Sequence, residues 1–221
     1  MKRYSILGIS LRDYTAREAL KQIDRFLNGG AMNTVACVTV QNLTETAKQD
    51  AVKELIENTD MTLCAEAEIL EAAGIASMGR IHEIREQTVL RECLRKTAKR
   101  GGSVFFLGDT QKEAQTLEEA MLKLCSDIRV AGCAGYDFFD RLPEQLMNAL
   151  NEAAPQIIFS RMSWPQDLEL MHQCSRFLNA MLWIAMPEKD FYHPAKASVA
   201  EKIRNMIFRK KVNKYNSGKT D

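Results

Sequence analysis

The 221-residue sequence lacks the motifs that identify several common enzyme classes. It has no G-x-x-x-x-G-K-[ST] loop and no G-x-G-x-x-G segment, which excludes P-loop and classical dinucleotide-binding proteins. It also has no G-x-S-x-G nucleophile elbow. The three histidines, His82, His172 and His193, lie far apart without the spacing of metal ligands. We therefore expect neither a metal site nor a cofactor.

Long apolar runs and paired cysteines are also missing. The six cysteines are scattered without a C-x-x-C pair, which is typical of reduced thiols packed as small apolar residues. No stretch approaches the roughly 20 apolar residues of a membrane span. The start, MKRYSILGISLRD, reaches Arg12 before any long apolar run and makes a poor signal peptide. We expect a cytoplasmic protein.

Charge is small overall but unevenly placed. The formal net charge of +1 is not that of a nucleic-acid-binding domain, so we expect no nucleic-acid partner. Residues 196–221, however, carry eight Lys or Arg against Glu201 and Asp221. A basic helix is predicted over about 197–211, and two interpretations stay open. Residues 197–214 make a peripheral contact with a membrane surface, or the helix is solvated and packs on the domain.

Strand and helix patterns alternate along the chain, which predicts a largely parallel sheet with helices on both faces. Pro187 and Pro194 bracket a change in composition, so we expect a domain at 1–190 and a basic helix and tail at 191–221. The strand candidates are 5–11 (or an edge hairpin), 33–40, 61–65, 103–108, 127–132, 155–160 and 181–186. The helix candidates are 15–28, 43–58, 68–73, 88–100 and 143–153, a helix that starts at the cap Thr110, and a helix from the cap Ser163 to about Asn179.

Residues 103–138 are the most informative stretch. The apolar run SVFFLG ends at Gly108-Asp109, a helical segment follows, and the run DIRVAG leads into Gly135-Tyr136-Asp137. Open α/β sheets bind ligands at the carboxyl ends of their strands. Glycine at those ends allows close approach of a phosphate or a sugar. The stretch therefore predicts a nucleotide or sugar site.

Polar residues follow five of the predicted strands, and a parallel sheet places them on one edge. Each also has a simpler structural role: Asp109 and Ser163 could cap helices, and the Tyr136 ring could pack against a loop. The candidates are Thr39, Gln41 and Asn42; Ala65, Glu66 and Glu68; Gly108 and Asp109; Gly135, Tyr136 and Asp137; Arg161, Ser163 and Gln166.

A family resemblance rests on three segments. FLGDTQKEAQTLEEAMLKLCSDIRVAGCAGYDFF resembles the core of the WecG/TagA/CpsF glycosyltransferases, in which a strand ends in a glycine pair and G-x-x-x-GY-F follows a helix. NTVACVTVQNL and APQIIFSRMSWPQDLELM are similar to two further motifs, over about residues 4–187 in all. The resemblance implies a Rossmann-like fold with a C-terminal appendage. It also implies transfer of an N-acetyl amino sugar from a UDP donor to a polyprenyl-linked acceptor at the membrane face.

The resemblance assigns roles to residues of this chain. It implies that the catalytic residues, which lie near the sugar, the acceptor and the diphosphate, are Thr39, Glu66, Arg85 and Gln166. On the nucleotide-sugar side it implies Gln41, Gly108, Asp109, Gly135, Tyr136, Asp137 and Ser163.

Departures from the family pattern fall on the chemistry. The family Asp-Gly after the third strand reads Ala65-Glu66 here, and both glycines of a Gly-rich stretch are replaced within 161–167. A carboxylate stands where the second glycine of the family pair would be, at Asp109. Two hypotheses therefore stay open: an active UDP-sugar transferase, and an impaired member that acts by binding or scaffolding. A homo-oligomer is compatible with both.

Overall fold

The computed structural model of the chain describes residues 2–187 and 199–218. The strands are β1 (Lys2–Ile6), β2 (Ile9–Asp13), β3 (Asn33–Val38), β4 (Met61–Cys64), β5 (Ser103–Gly108), β6 (Arg129–Gly135), β7 (Ile157–Arg161) and β8 (Leu182–Ala185). The α-helices are α1 (Ala16–Leu27), α2 (Val40–Thr46), α3 (Asp50–Asn58), α4 (Ala67–Ala72), α5 (Met78–Arg85), α6 (Thr88–Lys99), α7 (Gln111–Leu124), α8 (Pro143–Ala153), α9 (Gln166–Cys174) and α10 (Val199–Ser217). Short 3₁₀ turns cover Tyr136–Phe139 and Ser175–Phe177.

Six of the strands form one parallel sheet in the order β4–β3–β8–β7–β5–β6. One apolar cluster on each face holds the helices: α1, α6 and α7 pack on one side, and α2, α3, α8 and α9 on the other. Side chains alternate accordingly along the strands; in β5, Phe105 and Leu107 face the second layer, while Val104 and Phe106 face the first. The predicted Rossmann-like α/β fold is confirmed.

The first two strands form a separate antiparallel hairpin, β1–β2. Its two-residue turn, Leu7-Gly8, has positive φ at both positions, 51° and 81°, as the tight hairpin turn requires. The hairpin side chains Ile6, Ile9 and Leu11 are buried in the cluster that contains α2, α3 and α9. Of the two alternatives for 5–11, the hairpin is the one observed.

The C-terminal helix α10 packs on the sheet domain, against α2 and α4. Phe208 and Val212 are fully buried in the same cluster as the hairpin and α9. Its opposite face leaves Ile203, Met206 and Ile207 about half exposed. The predicted boundary at 187–195, with Pro194, lies largely outside the described residues. Within the described ranges, no helix combines the length and the apolar character needed to cross a membrane.

Two local predictions are wrong, and one helix was missed. Residues 39–40 were expected to end a strand, but Thr39 caps α2 through a capping box with Asn42. The helix expected over 43–58 is two helices, α2 and α3, because Gln49 adopts an extended conformation before α3. Helix α5 was not predicted, since it has little apolar periodicity and buries no residue completely.

Candidate functional site

The carboxyl ends of the parallel strands form one edge of the sheet, and two neighbouring strands there diverge in topology. β5 leads through α7 to β6, while β7 leads through α9 to β8 on the other side. Because α7 and α9 lie on opposite faces, their preceding loops are separated by a crevice of the kind in which α/β sheets bind ligands. Asp109 lies in the first of these loops and Ser163 in the second.

The two loops are joined across the crevice by the chain itself. Asp109 Oδ2 accepts hydrogen bonds from the Ser163 backbone N–H, at 2.7 Å, and from the Ser163 hydroxyl. Arg141 Nη1 lies 3.9 Å from the other oxygen, Asp109 Oδ1, and donates to Gln166 Oε1 at 3.3 Å. Asp109, Ser163, Gln166 and Arg141 therefore lie together at the crevice, and their polar groups bind one another. Ser163 was expected as a helix cap and instead binds Asp109; Pro165 is the N-cap of α9.

The glycines at the ends of β5 and β6 are required by packing within the protein. A Cβ on Gly108 would overlap the backbone nitrogen of Ala114, and one on Gly135 would overlap the backbone of Thr110 and Gln111. The first turn of α7 thus rests directly on both strand ends. The close approach expected for a ligand at these glycines is made by the protein's own helix.

Tyr136 is buried beneath the crevice and not presented to it. The ring is 4% exposed, and its hydroxyl donates to the Arg141 carbonyl oxygen at 2.8 Å. The Arg141 guanidinium lies 5.9 Å from the ring centroid, within cation–π range. Asp137 is exposed beside it. Gly135 and Tyr136, which were predicted on the nucleotide side, are thus both packed within the protein.

A buried polar chain lies under the 161–165 loop. Trp183 Nε1 donates to Ser160 Oγ at 2.7 Å, Ser160 donates to Asp167 Oδ1 at 2.5 Å, and the Met162 N–H donates to Asp167 Oδ2 at 3.2 Å. Burial raises the pKa of Asp167 to about 7 against these hydrogen bonds, and the nearby Asp109 carboxylate adds to the rise. The loop is thus held from below by Asp167 and from across the crevice by Asp109.

At the end of β3, the predicted site residues act in the start of α2. Thr39 Oγ1 accepts from the Asn42 N–H at 3.1 Å, and Asn42 Oδ1 accepts from the Thr39 N–H at 3.0 Å. Gln41 Nε2 donates to Glu45 Oε1 at 3.1 Å within the helix. The side chains of Thr39 and Gln41 are half-buried.

Glu66 joins three segments that are far apart in sequence. Its Oε2 accepts from the Val40 N–H at the start of α2, at 2.7 Å. Its Oε1 lies 3.5 Å from Arg204 Nη2, on α10. A second ion pair, Arg209 with Glu71, fixes α10 over α4. The Glu66 carboxylate, one position after the place of the family Asp, therefore lies at the strand ends, and both of its oxygens are engaged.

On α5, Arg80 lies near this end of the sheet, where Arg85 was predicted. Arg85 lies on the exposed side of α5. Arg80 lines a narrow cleft with Leu63, Ala65 and Leu90, and its guanidinium pairs with Asp13 at 2.8 Å and with Glu83. Sequence reasoning missed Arg80, because its pairing with Asp13, 67 positions away, has no local signal.

The Cys64 thiol shares a 2.8 Å hydrogen bond with the Tyr4 hydroxyl beside this cleft. Burial raises the pKa of Cys64 to about 11, so the thiol is protonated at neutral pH. Among residues 2–187 and 199–218, no group of three His, Cys, Asp or Glu side chains could hold a metal ion. The chemistry this edge offers is therefore that of Glu66, the arginines and hydroxyl groups.

The strand-end edge thus divides into two groups: Asp109, Ser163, Gln166 and Arg141 at the crevice, and Thr39, Glu66, Arg80 and Arg204 at the ends of β3 and β4. No curated protein matches the chain significantly. The profile described as Glycosyl transferase WecG/TagA/CpsF family matches residues 4–187, which span the six-stranded sheet and every residue of the two groups except Arg204. The chain belongs to the WecG/TagA/CpsF family of glycosyltransferases.

Proposed function

We propose that this chain is a catalytically impaired member of its family and acts by binding or by assembly with a partner. One observation carries the proposal: both carboxylate oxygens of Glu66, which follows the position of the family base by one residue, are engaged. Its two oxygens face the Val40 N–H and the Arg204 guanidinium. A general base must lie within hydrogen-bond reach of the acceptor hydroxyl and be able to take its proton.

The crevice supports the same proposal. The Asp109 carboxylate, 13% exposed, lies between the loops where a donor diphosphate would be expected in such a sheet. A negative charge there repels a diphosphate, and its bonds to Ser163 keep the loops together. Displacing it requires breaking hydrogen bonds to a charged group, each contributing about 1.5–3 kcal/mol.

The second candidate is an active transferase of cell-surface polysaccharide synthesis. It would move an N-acetyl amino sugar from a UDP donor to a polyprenyl-diphosphate-linked acceptor. The observation that favours it is the position of Thr39 and Glu66 just after β3 and β4, with Arg80 in the cleft that Cys64 and Ala65 line. In that case Arg204 would move away from Glu66 when an acceptor binds, and Gly135-Tyr136 would contact the nucleoside.

Calorimetric titration with UDP and with UDP-N-acetylhexosamines separates the two candidates. The impaired member is expected to show no saturable heat at millimolar ligand. Micromolar binding accompanied by turnover would instead establish the transferase. Turnover, if found, should be abolished in Glu66→Gln and kept in Glu54→Gln, which makes the same change on the exposed side of α3.

We further propose that α10 contacts a membrane surface or a second copy through its solvent face, with residues 191–221 forming an appendage to a cytoplasmic domain at 1–190. Ile203, Met206 and Ile207 are half exposed there, and Lys210, Lys211 and Lys214 are exposed nearby. Each basic residue near an anionic bilayer contributes about 1 kcal/mol. Co-sedimentation with anionic vesicles tests this: recovery in the supernatant at low salt, with a monomer in sedimentation analysis, would reject both contacts.

A further inference from the structure

The crevice between the β5 and β7 loops holds an arrangement that recognises anions. The Ser163 N–H and the Ser163 hydroxyl both point at one oxygen, Asp109 Oδ2, and the Arg141 guanidinium approaches the other. Hydroxyl, backbone N–H and guanidinium donors are the groups with which proteins bind phosphate. We propose that these donors form a phosphate-binding cradle in which the Asp109 side chain takes the place of the ligand.

The helices around the crevice favour an anion at this point. α7, of 14 residues, starts two positions after Asp109, and α9, of nine residues, starts three positions after Ser163. Each helix carries about half a positive charge at its amino terminus, so a negative group between them is stabilised. Asp167, on α9, lies below the crevice, and its carboxyl group is close enough to Asp109 for the two to interact electrostatically.

The loop that carries Arg141 is held in a strained conformation. Asp140 and Arg141 have positive φ values of 49° and 56°, a region that costs a non-glycine residue about 1–2 kcal/mol. The strain is offset by the hydrogen bond from the Tyr136 hydroxyl to the Arg141 carbonyl. Strain of this kind is frequent at ligand clamps, and here the strained loop places the guanidinium over Tyr136 and beside Asp109.

Asp109 is an incomplete occupant of this cradle. Its Oδ1 is buried without a hydrogen-bond partner among the described residues, while Oδ2 has two donors. A buried carboxylate oxygen that lacks a donor is costly. Ser163 is exposed and Arg141 about half exposed, so a ligand can reach both donors from solvent. The proposal rests on the proposed function in naming the diphosphate of a nucleotide as the ligand that Asp109 excludes.

The test removes the internal carboxylate and titrates inorganic diphosphate by calorimetry at low salt. Asp109→Ala is expected to bind diphosphate at least tenfold more tightly than the wild-type protein. Asp127→Ala makes the same charge change at the opposite end of β6 and should behave as wild type. Adding Arg141→Ala to Asp109→Ala should reverse the gain.

Asp109→Asn provides a second variant that keeps the side-chain volume and can still accept from Ser163. It should gain less affinity than Asp109→Ala, and urea unfolding checks that each variant is folded. The cradle is ruled out if neither Asp109 variant binds diphosphate better than Asp127→Ala. Sugar transfer by the wild-type protein would reject the proposed function instead, whatever the Asp109 variants bind.

Discussion

The two halves of the strand-end edge are built in different ways. At the crevice side, β5, α7 and β6 form a unit of consecutive elements whose contacts are mostly local, such as the Thr110–Glu113 capping box and the seat of α7 on Gly108 and Gly135. At the β3–β4 side, the contacts join distant parts of the chain. Glu66 meets Arg204, 138 positions away, and Arg80 meets Asp13, 67 positions away.

This difference explains why the family resemblance is strongest in the β5–α7–β6 unit, although that unit reveals little about catalysis. The glycines of the β5–α7–β6 unit are needed for the fold itself, so they remain informative even if no ligand binds. The β3–β4 side would have to supply the proton transfer, and there Glu66 is tied to a backbone N–H and to α10. Under the proposed function, the family fold is kept while its reaction is lost.

The largest expected effect is on the docking of α10 at the β3–β4 side. Phe208 is 1% exposed in the main core, and Phe208→Ala should lower the free energy of unfolding by about 3–5 kcal/mol. Met206→Ala, half exposed on the same helix, should change it by less than about 0.5 kcal/mol. Urea midpoints measure both. Equal midpoints for the two variants would mean that α10 does not dock as described.

The next effect concerns the local unit. Gly135→Ala forces a methyl into the backbone of Thr110 and Gln111, and overpacking of this kind costs about 1–3 kcal/mol. Gly79→Ala is the matched control, because its Cβ would meet no atom within 4 Å in the helix α5, and alanine there should stabilise by about 0.5–1 kcal/mol. If both substitutions shift the midpoint the same way, α7 is not seated on the strand end.

A pH effect of intermediate size comes from Asp167. Its pKa in the folded protein is raised to about 7, above the value near 3.9 in the unfolded chain, so the folded state binds the proton more tightly. The contribution of Asp167 to stability is therefore complete below about pH 4 and is lost as the pH rises towards 7. The loss is on the order of 3–4 kcal/mol, because about three pH units, each worth roughly 1.4 kcal/mol, separate the two pKa values.

Asp167→Asn removes this pH-dependent contribution, because the amide does not titrate. The test is the pH dependence, and the stability of the variant at any one pH does not enter it. The unfolding free energies of wild type and variant are measured from pH 4 to 7. The difference between them should change over this range by the amount given above. Asp127→Asn, exposed at the surface, should follow the wild-type slope. Parallel curves for wild type and Asp167→Asn would contradict a buried, protonated carboxyl under the crevice.

The smallest effect is that of the Glu66–Arg204 ion pair. Both side chains are about one quarter exposed and their atoms are 3.5 Å apart, so a double-mutant cycle of Glu66→Gln and Arg204→Ala should give a coupling of about 0.5 kcal/mol. Lys210→Ala, exposed on the same helix, should show no coupling to Glu66. A coupling equal to that of Lys210 would remove the contact on which the proposed function rests.

Local signals made much of the fold predictable. The capping boxes Thr15–Glu18 and Thr110–Glu113, the apolar strands and the glycine stops follow from neighbours within a few residues, and the structure confirms them. The site was less accessible. Ser163 was expected to act within its own helix, but its partner Asp109 is 54 positions away, on another loop. No local pattern distinguishes Arg80 from Arg85, because pairing with Asp13 depends on where the hairpin lies.

The most direct test of the account is a turnover measurement on the wild-type protein. UDP release is followed from a panel of UDP-N-acetylhexosamines with a polyprenyl-diphosphate-linked acceptor, with and without anionic vesicles. The account predicts no acceptor-dependent UDP release above the rate of hydrolysis without protein. Acceptor-dependent release that is lost in Glu66→Gln and retained in Glu54→Gln would contradict it, and would make Glu66 the base of an active transferase.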